Sequence, residues 1–147
     1  MISFALAVFG SAATAQDKEA IFKSREVLMK GQGKDIGAVK AYTEGKGDLA
    51  EATTGATNLT ESMKKIPGVF PPGTEGPSPS GKFASKPVIW GEWNKFLEAQ
   101  KNATAKADAL LVAMKSGDKT AITAAFGDLG KNGCGACHET FREKLQD

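Results

Sequence analysis

The chain has 147 residues, enough for one domain whose core needs no staples. Its 19 Lys and Arg against 17 Asp and Glu leave a formal charge of +2, with the two signs interleaved as on solvated helix faces. That balance excludes a nucleic-acid surface, which needs clustered basic residues, and no apolar run of membrane-spanning length follows the N-terminal segment.

The chain opens MISFALAVFGSAATAQD, an uncharged apolar stretch from Ile2 to Phe9 followed by small residues ending Ala13-Thr14-Ala15. These are the apolar region and A-x-A site of a secretory signal, with cleavage before Gln16. No basic residue precedes the apolar stretch, so either the true start lies upstream or the signal is short; a small N-terminal core helix is the competing reading. Residues 1–15 are read as a signal peptide and 16–147 as the exported domain.

An amphipathic helix is predicted from about Lys18 to Glu44, with Ile21, Phe22, Leu28, Met29, Ile36 and Val39 on helical spacing. Gly31 and Gly33 predict a kink or a close helix contact midway, and Gly45-Lys46-Gly47 a stop. Asp48, with Glu51 three residues on, predicts the cap of a second helix running to Ile66, closed by Pro67. The following stretch, PGVFPPGTEGPSPSGKFASK, holds five of the six prolines, and no regular element is expected there. At about twenty residues it is long for a connection, which marks it as a covering or mobile loop, with Phe70 and Phe83 favouring partial packing.

Ser85 and Pro87 predict the cap and first turn of a third helix. It carries Val88, Ile89, Trp90, Trp93, Phe96, Leu97, Ala103, Ala107, Leu110, Leu111 and Met114, and stops at Gly117. Asp118 caps a fourth, through Ile122, Phe126 and Leu129 to about Leu145. No strand pattern competes. The expected fold is all-α, an antiparallel up-and-down four-helix bundle with one long loop between helices 2 and 3.

The fourth segment holds CGACH, with both cysteines of the chain and its one histidine. An exported protein with two cysteines ordinarily suggests a disulfide, but Cys134 and Cys137 are too close to close a useful loop. Cys-x-x-Cys-His is the attachment signature of c-type haem: each thiol adds to a vinyl group and the histidine becomes an axial ligand of the iron. On a helix Cys134, Cys137 and His138 share one face. Structural zinc wants four N or S ligands and this chain offers three; a thioredoxin-like pair needs a βαβ setting. Gly127 and Gly130, each costing about 1 kcal/mol against alanine, suggest room for a porphyrin. Phe141 and Leu145 continue the His138 face, as haem walls or as ordinary core.

TAAFGDLGKNGCGACHETFREK resembles the last helix of the class II c-type cytochromes, the family of cytochrome c prime and its low-spin relatives. PVIWGEWNKF resembles the start of the family's third helix and IPGVFPPGTEG its loop. The resemblance implies a four-helix bundle with one covalent haem c near the C-terminus. It implies that a residue of the first helix faces the iron, at Met29 in Arg25-Glu26-Val27-Leu28-Met29-Lys30. In high-spin members that residue does not coordinate; in the low-spin branch it is a methionine bound to iron, and LMKGQGKDIGAV is closer to the latter. Met29 is therefore expected as distal ligand, with core packing as the alternative; Met63 and Met114 are expected in the core. Arg25, one turn away, is expected at a haem propionate or on an exposed helix face. Trp90 and Trp93 are expected to pack rather than conduct electrons.

The expected function is a periplasmic monohaem electron carrier serving redox partner proteins. The alternative is a five-coordinate protein that binds NO or CO. No nucleic acid and no membrane insertion of the mature chain are expected. Neither is enzymatic activity, since no second histidine or acid–base pair accompanies the haem motif. The family includes dimers formed through the first two helices, and the sequence leaves monomer and dimer open.

Overall fold

Helix α1 (Ala15–Thr43) opens the computed structural model, which describes residues 15–145. The predicted signal segment, Ala15 apart, lies outside the described residues. α1 runs unbroken, and a Cβ built at Gly31 or Gly33 meets no atom within 4 Å, so neither the expected kink nor the close contact is there. Both glycines sit on the solvent side. The close approach is made from the facing helix, where a Cβ at Gly55 would stand 2.8 Å from the Asp35 carbonyl oxygen. Gly45, at φ +75°, ends α1 in the left-handed conformation that glycine adopts without strain.

Helix α2 (Leu49–Met63) starts as expected, the Asp48 carboxylate accepting from the Glu51 N–H at 2.8 Å. It ends three residues before Ile66. Ile66–Val69 forms a 3₁₀ turn with Pro67 near its start, where the missing N–H costs nothing. The expectation of an irregular loop and no strands is corrected. β1 (Gly76–Pro77), β2 (Phe83–Ser85) and β3 (Arg142–Lys144) form an antiparallel sheet in the order β1-β2-β3, with Phe83 opposite Lys144 and Ser85 opposite Arg142. Strands of two or three residues are too short to show a period-2 pattern.

The third helix is broken into α3 (Val88–Gly91) and α4 (Trp93–Ser116), because Glu92 leaves helical geometry at φ −126°, ψ 48°. Ser85 does not cap it; it belongs to β2. Gly117, at φ +70°, stops α4 as expected. The fourth helix begins with Asp118 accepting from Thr120 and Ala121 N–H groups at 2.9 and 3.2 Å. It comprises α5 (Lys119–Asp128), a π-helical segment (Leu129–Gly135) and α6 (Ala136–Phe141). It ends at Phe141, not Leu145, because Arg142 turns extended to join the sheet; the Leu145 N–H donates to the Lys82 carbonyl.

Cross-helix contacts set the bundle. Asp35 accepts from Asn58 (3.1 Å), Gln100 Nε2 donates to the Met63 carbonyl (2.9 Å), Asn102 donates to the Asn132 carbonyl (2.8 Å), and Lys106 pairs with Asp128 (2.7 Å). With Lys119 over the Tyr42 ring, each neighbouring pair runs antiparallel in a closed ring of four. The resulting core holds Val39, Leu59, Ile89, Leu110, Met114, Ile122 and Leu129, each nearly free of solvent, and Met63 and Met114 lie within it. Burying such a side chain stabilises by about 1.5–3 kcal/mol. Among the described residues no helix is long and apolar enough to cross a membrane.

Candidate functional site

The widened π-helical turn, LGKNGCG, contains three glycines and leads directly into the ACH sequence. A Cβ at Gly133 would lie 3.0 Å from Leu129 Cδ1 and 3.4 Å from the Ala103 Cα, so glycine lets this turn press against α4. The wide turn also rephases the helix: Leu129, Gly133 and Phe141 face inward, with Cys134, Cys137 and His138 half-buried beside them. Gly127 and Gly130, the glycines singled out in the sequence, are exposed with nothing within 4 Å, and Gly133 is the close-packed one.

Cys134 and Cys137 form no disulfide. Burial raises both, and for Cys137 the neighbouring Cys134 adds to it, to about 11. At neutral pH they are thiols, the form that adds across a vinyl double bond. Burial, and then the charge of Arg142, lowers His138 to about 4. Its imidazole is neutral, as ligation requires, and neither ring nitrogen hydrogen-bonds to a described residue. Arg142 was not foreseen. It follows His138 by four residues, a spacing that could have flagged it, and its guanidinium stands 4.3 Å from the Phe83 ring centroid.

Phe141 packs edge-on to Phe96 at 5.3 Å, and Phe96 meets Phe70 at 5.0 Å and Trp93 at 5.3 Å. The Trp90 indole N–H is shared between the Phe70 and Pro71 carbonyls, both at 3.0 Å. The two tryptophans thus pack, as expected. An open recess of about 410 Å³ between α4 and the last helix is bordered by Ala99, Asn102, Gly133, Ala136, Cys137 and Phe141. Leu145, beyond the helix, is no part of this wall.

Arg25 is not an exposed helix-face residue: it is 8% exposed. Nε donates to the Val69 carbonyl (2.9 Å), Nη1 to the Thr74 carbonyl (3.0 Å) and Ser85 Oγ (2.9 Å), and Nη2 to Thr74 Oγ1 (2.7 Å). Thr74, fully buried, passes its own proton to the Pro71 carbonyl at 2.7 Å. The guanidinium also lies 4.0 Å from the Phe70 centroid. Burial lowers its pKa to about 10. One Nη2 hydrogen makes no bond to a described residue, and among those residues no carboxylate pairs with the cation.

Met29 is half-buried against the core. Ser85 accepts from Arg25 and stands opposite Arg142, which ties α1 to the strand that follows the last helix. α1 and the last helix are antiparallel neighbours. Met29 lies one turn beyond Arg25 on α1. The chain therefore offers two thiols and a neutral imidazole on the last helix and, on the neighbouring α1, a half-buried thioether one turn from an uncompensated buried cation. That donor set fits a covalently held haem with two carboxylate arms.

Residues 20–142 match the family model described as Cytochrome C'. The chain is 36% identical to cytochrome c-556 of Agrobacterium tumefaciens (strain II Chrys), over 83% of this chain and 96% of the relative. It is also 36% identical to cytochrome c' of Pararhodospirillum photometricum, over 85% and 98%. Its fold superimposes on the nitric oxide complex of a cytochrome c prime variant from Alcaligenes xylosoxidans with a TM-score of 0.75, at 28% identity, covering 86% of this chain and 97% of that one. The chain belongs to the cytochrome c' family of class II c-type cytochromes and carries one covalent haem c.

Proposed function

We propose that this member of the cytochrome c' family is an electron carrier whose iron is held between His138 and Met29. The observation that supports the reading is Met29 itself, half-buried on the inner side of α1 one turn from the buried Arg25 cation, on a helix that neighbours the one carrying His138. Haem supplies the one-electron chemistry. Cys134 and Cys137 would anchor it through thioethers, His138 would ligate the iron, and Met29 would offer its sulfur from α1. Met–His ligation raises the potential and holds six-coordination in both redox states, which suits transfer over ligand binding.

Arg25 contributes its spare N–H and its charge to a propionate, while Phe70, Phe96 and Phe141 keep that end of the bundle dry. Arg25 and Arg142 are cations engaged with loop carbonyls and with Phe83, not acid–base groups, and the reading assigns the protein no catalysis of its own. The signal-like N-terminus supports work in the periplasm, where the partners are other redox proteins.

The second reading, five-coordinate iron that binds NO or CO, is favoured by the nitric oxide complex among the structural neighbours. There Met29 only packs. Optical spectra of the oxidised and reduced protein, with and without CO, separate the two: low-spin bands, a sulfur-to-iron charge-transfer feature and no response to CO support the carrier.

A further inference from the structure

The inner stripe of α1 is Arg25, Met29, Gln32, Ile36 and Val39. Packing or hydrogen bonds account for four of them. Gln32 is the exception. It is 8% exposed, and its Nε2 is closed to solvent and has no hydrogen-bond partner. Leaving a buried amide donor unpaired costs about 1–3 kcal/mol. The bundle satisfies the amide donor of another buried glutamine, with Gln100 Nε2 donating to the Met63 carbonyl and to Thr104 Oγ1, both at 2.9 Å. On α2, the helix facing α1, Thr60 is 6% exposed and its Oγ1 is likewise unpartnered.

Gln32 follows Met29 by three residues on the inner side of α1, and a helical side chain leans toward its helix's N-terminus, which carries the Gln32 amide back toward the level of Met29.

We propose that Gln32 is the distal hydrogen-bond donor of the site, its Nε2–H directed at a free electron pair of the ligand in the sixth position on iron. The acceptor is the Met29 sulfur in the carrier, or the outer atom of a small neutral diatomic where Met29 is displaced. The inference rests on the haem site described above and adds the residue that tunes it. A donor on the thioether withdraws electron density and favours the reduced state; on a bound diatomic it holds the negative charge gathered on the outer atom.

The test is Gln32→Leu in the haem-loaded full chain. Leucine keeps the bulk and removes only the proposed donor, whose amide bonds to no other described residue, so the fold should hold. Gln32→Met carries the same comparison if Gln32→Leu does not fold. The reduction equilibrium should move about two- to tenfold toward the oxidised form, a drop of up to about 59 mV, with the sulfur-to-iron band retained. In a Met29→Ala background, adding Gln32→Leu should raise the C–O stretching frequency of the CO complex and speed CO loss about two- to tenfold. An unchanged potential together with an unchanged stretch overturns the proposal and leaves the carrier reading standing, as when a buried water joins Gln32 to Thr60. A wild-type spectrum without the sulfur-to-iron band overturns Met29 ligation instead, and the CO comparison, made on the wild-type background, then decides Gln32 alone.

Discussion

The guanidinium of Arg25 holds the hairpin loop to α1 through four hydrogen bonds, and nothing in its immediate sequence announces this. Its acceptors belong to Val69, Thr74 and Ser85, 44 to 60 residues away, and two of the four are backbone carbonyls that carry no sequence signature. Arg25→Met, which keeps the stem and deletes the fork, should cost about 3 kcal/mol in chemical denaturation and expose the 70–86 segment to proteolysis. Arg25→Lys should recover little, since one ammonium cannot span those acceptors. The haem triad is the opposite case. Cys134, Cys137 and His138 are legible because their chemistry is written within five consecutive positions. For His138 the folded pKa of about 4 lies below the unfolded value of about 6.5. The unfolded chain therefore takes the proton first. The His138 contribution to the stability of the haem-free protein should be constant above about pH 6.5 and be lost as pH falls toward 4, whereas the haem-loaded protein, its imidazole committed to iron, should lack it. Urea midpoints across that range for both forms check it.

At the scale of elements, local signals carried far. The caps Asp48 and Asp118 and the stop at Gly117 stand where the residue types predict, because each acts within one turn. Asp118→Ala should lower stability by about 1 kcal/mol through loss of two capping bonds. The break at Glu92, the π-helical turn and the three short strands escaped the sequence because tertiary contacts make them. Gly133 is where that can be measured. Gly133→Ala forces a methyl to 3.0 Å from Leu129 and 3.4 Å from the Ala103 backbone, and should destabilise by about 1–3 kcal/mol in thermal denaturation. Gly130→Ala, in open space three residues earlier, should be neutral or gain up to about 1 kcal/mol.

The whole molecule brings distant segments together. Four antiparallel helices and a sheet that ties residues 83–85 to 142–144 make α1, which carries Met29, a neighbour of the last helix, which carries His138, although 109 positions, counted from 29 to 138, separate the two residues in the chain. The helix count follows from periodicity, caps and stops, so the bundle was readable; the sheet that ties its end together depends on long-range pairings and was not. The central claim is that Met29 is an iron ligand. The most direct test compares the oxidised near-infrared spectrum of the wild-type protein with that of Met29→Ala, each before and after reduction under CO. The account predicts a sulfur-to-iron charge-transfer band and no CO adduct in the wild type, with the band lost and CO bound in Met29→Ala. A wild-type protein that lacks the band and binds CO, unchanged by the substitution, would contradict it.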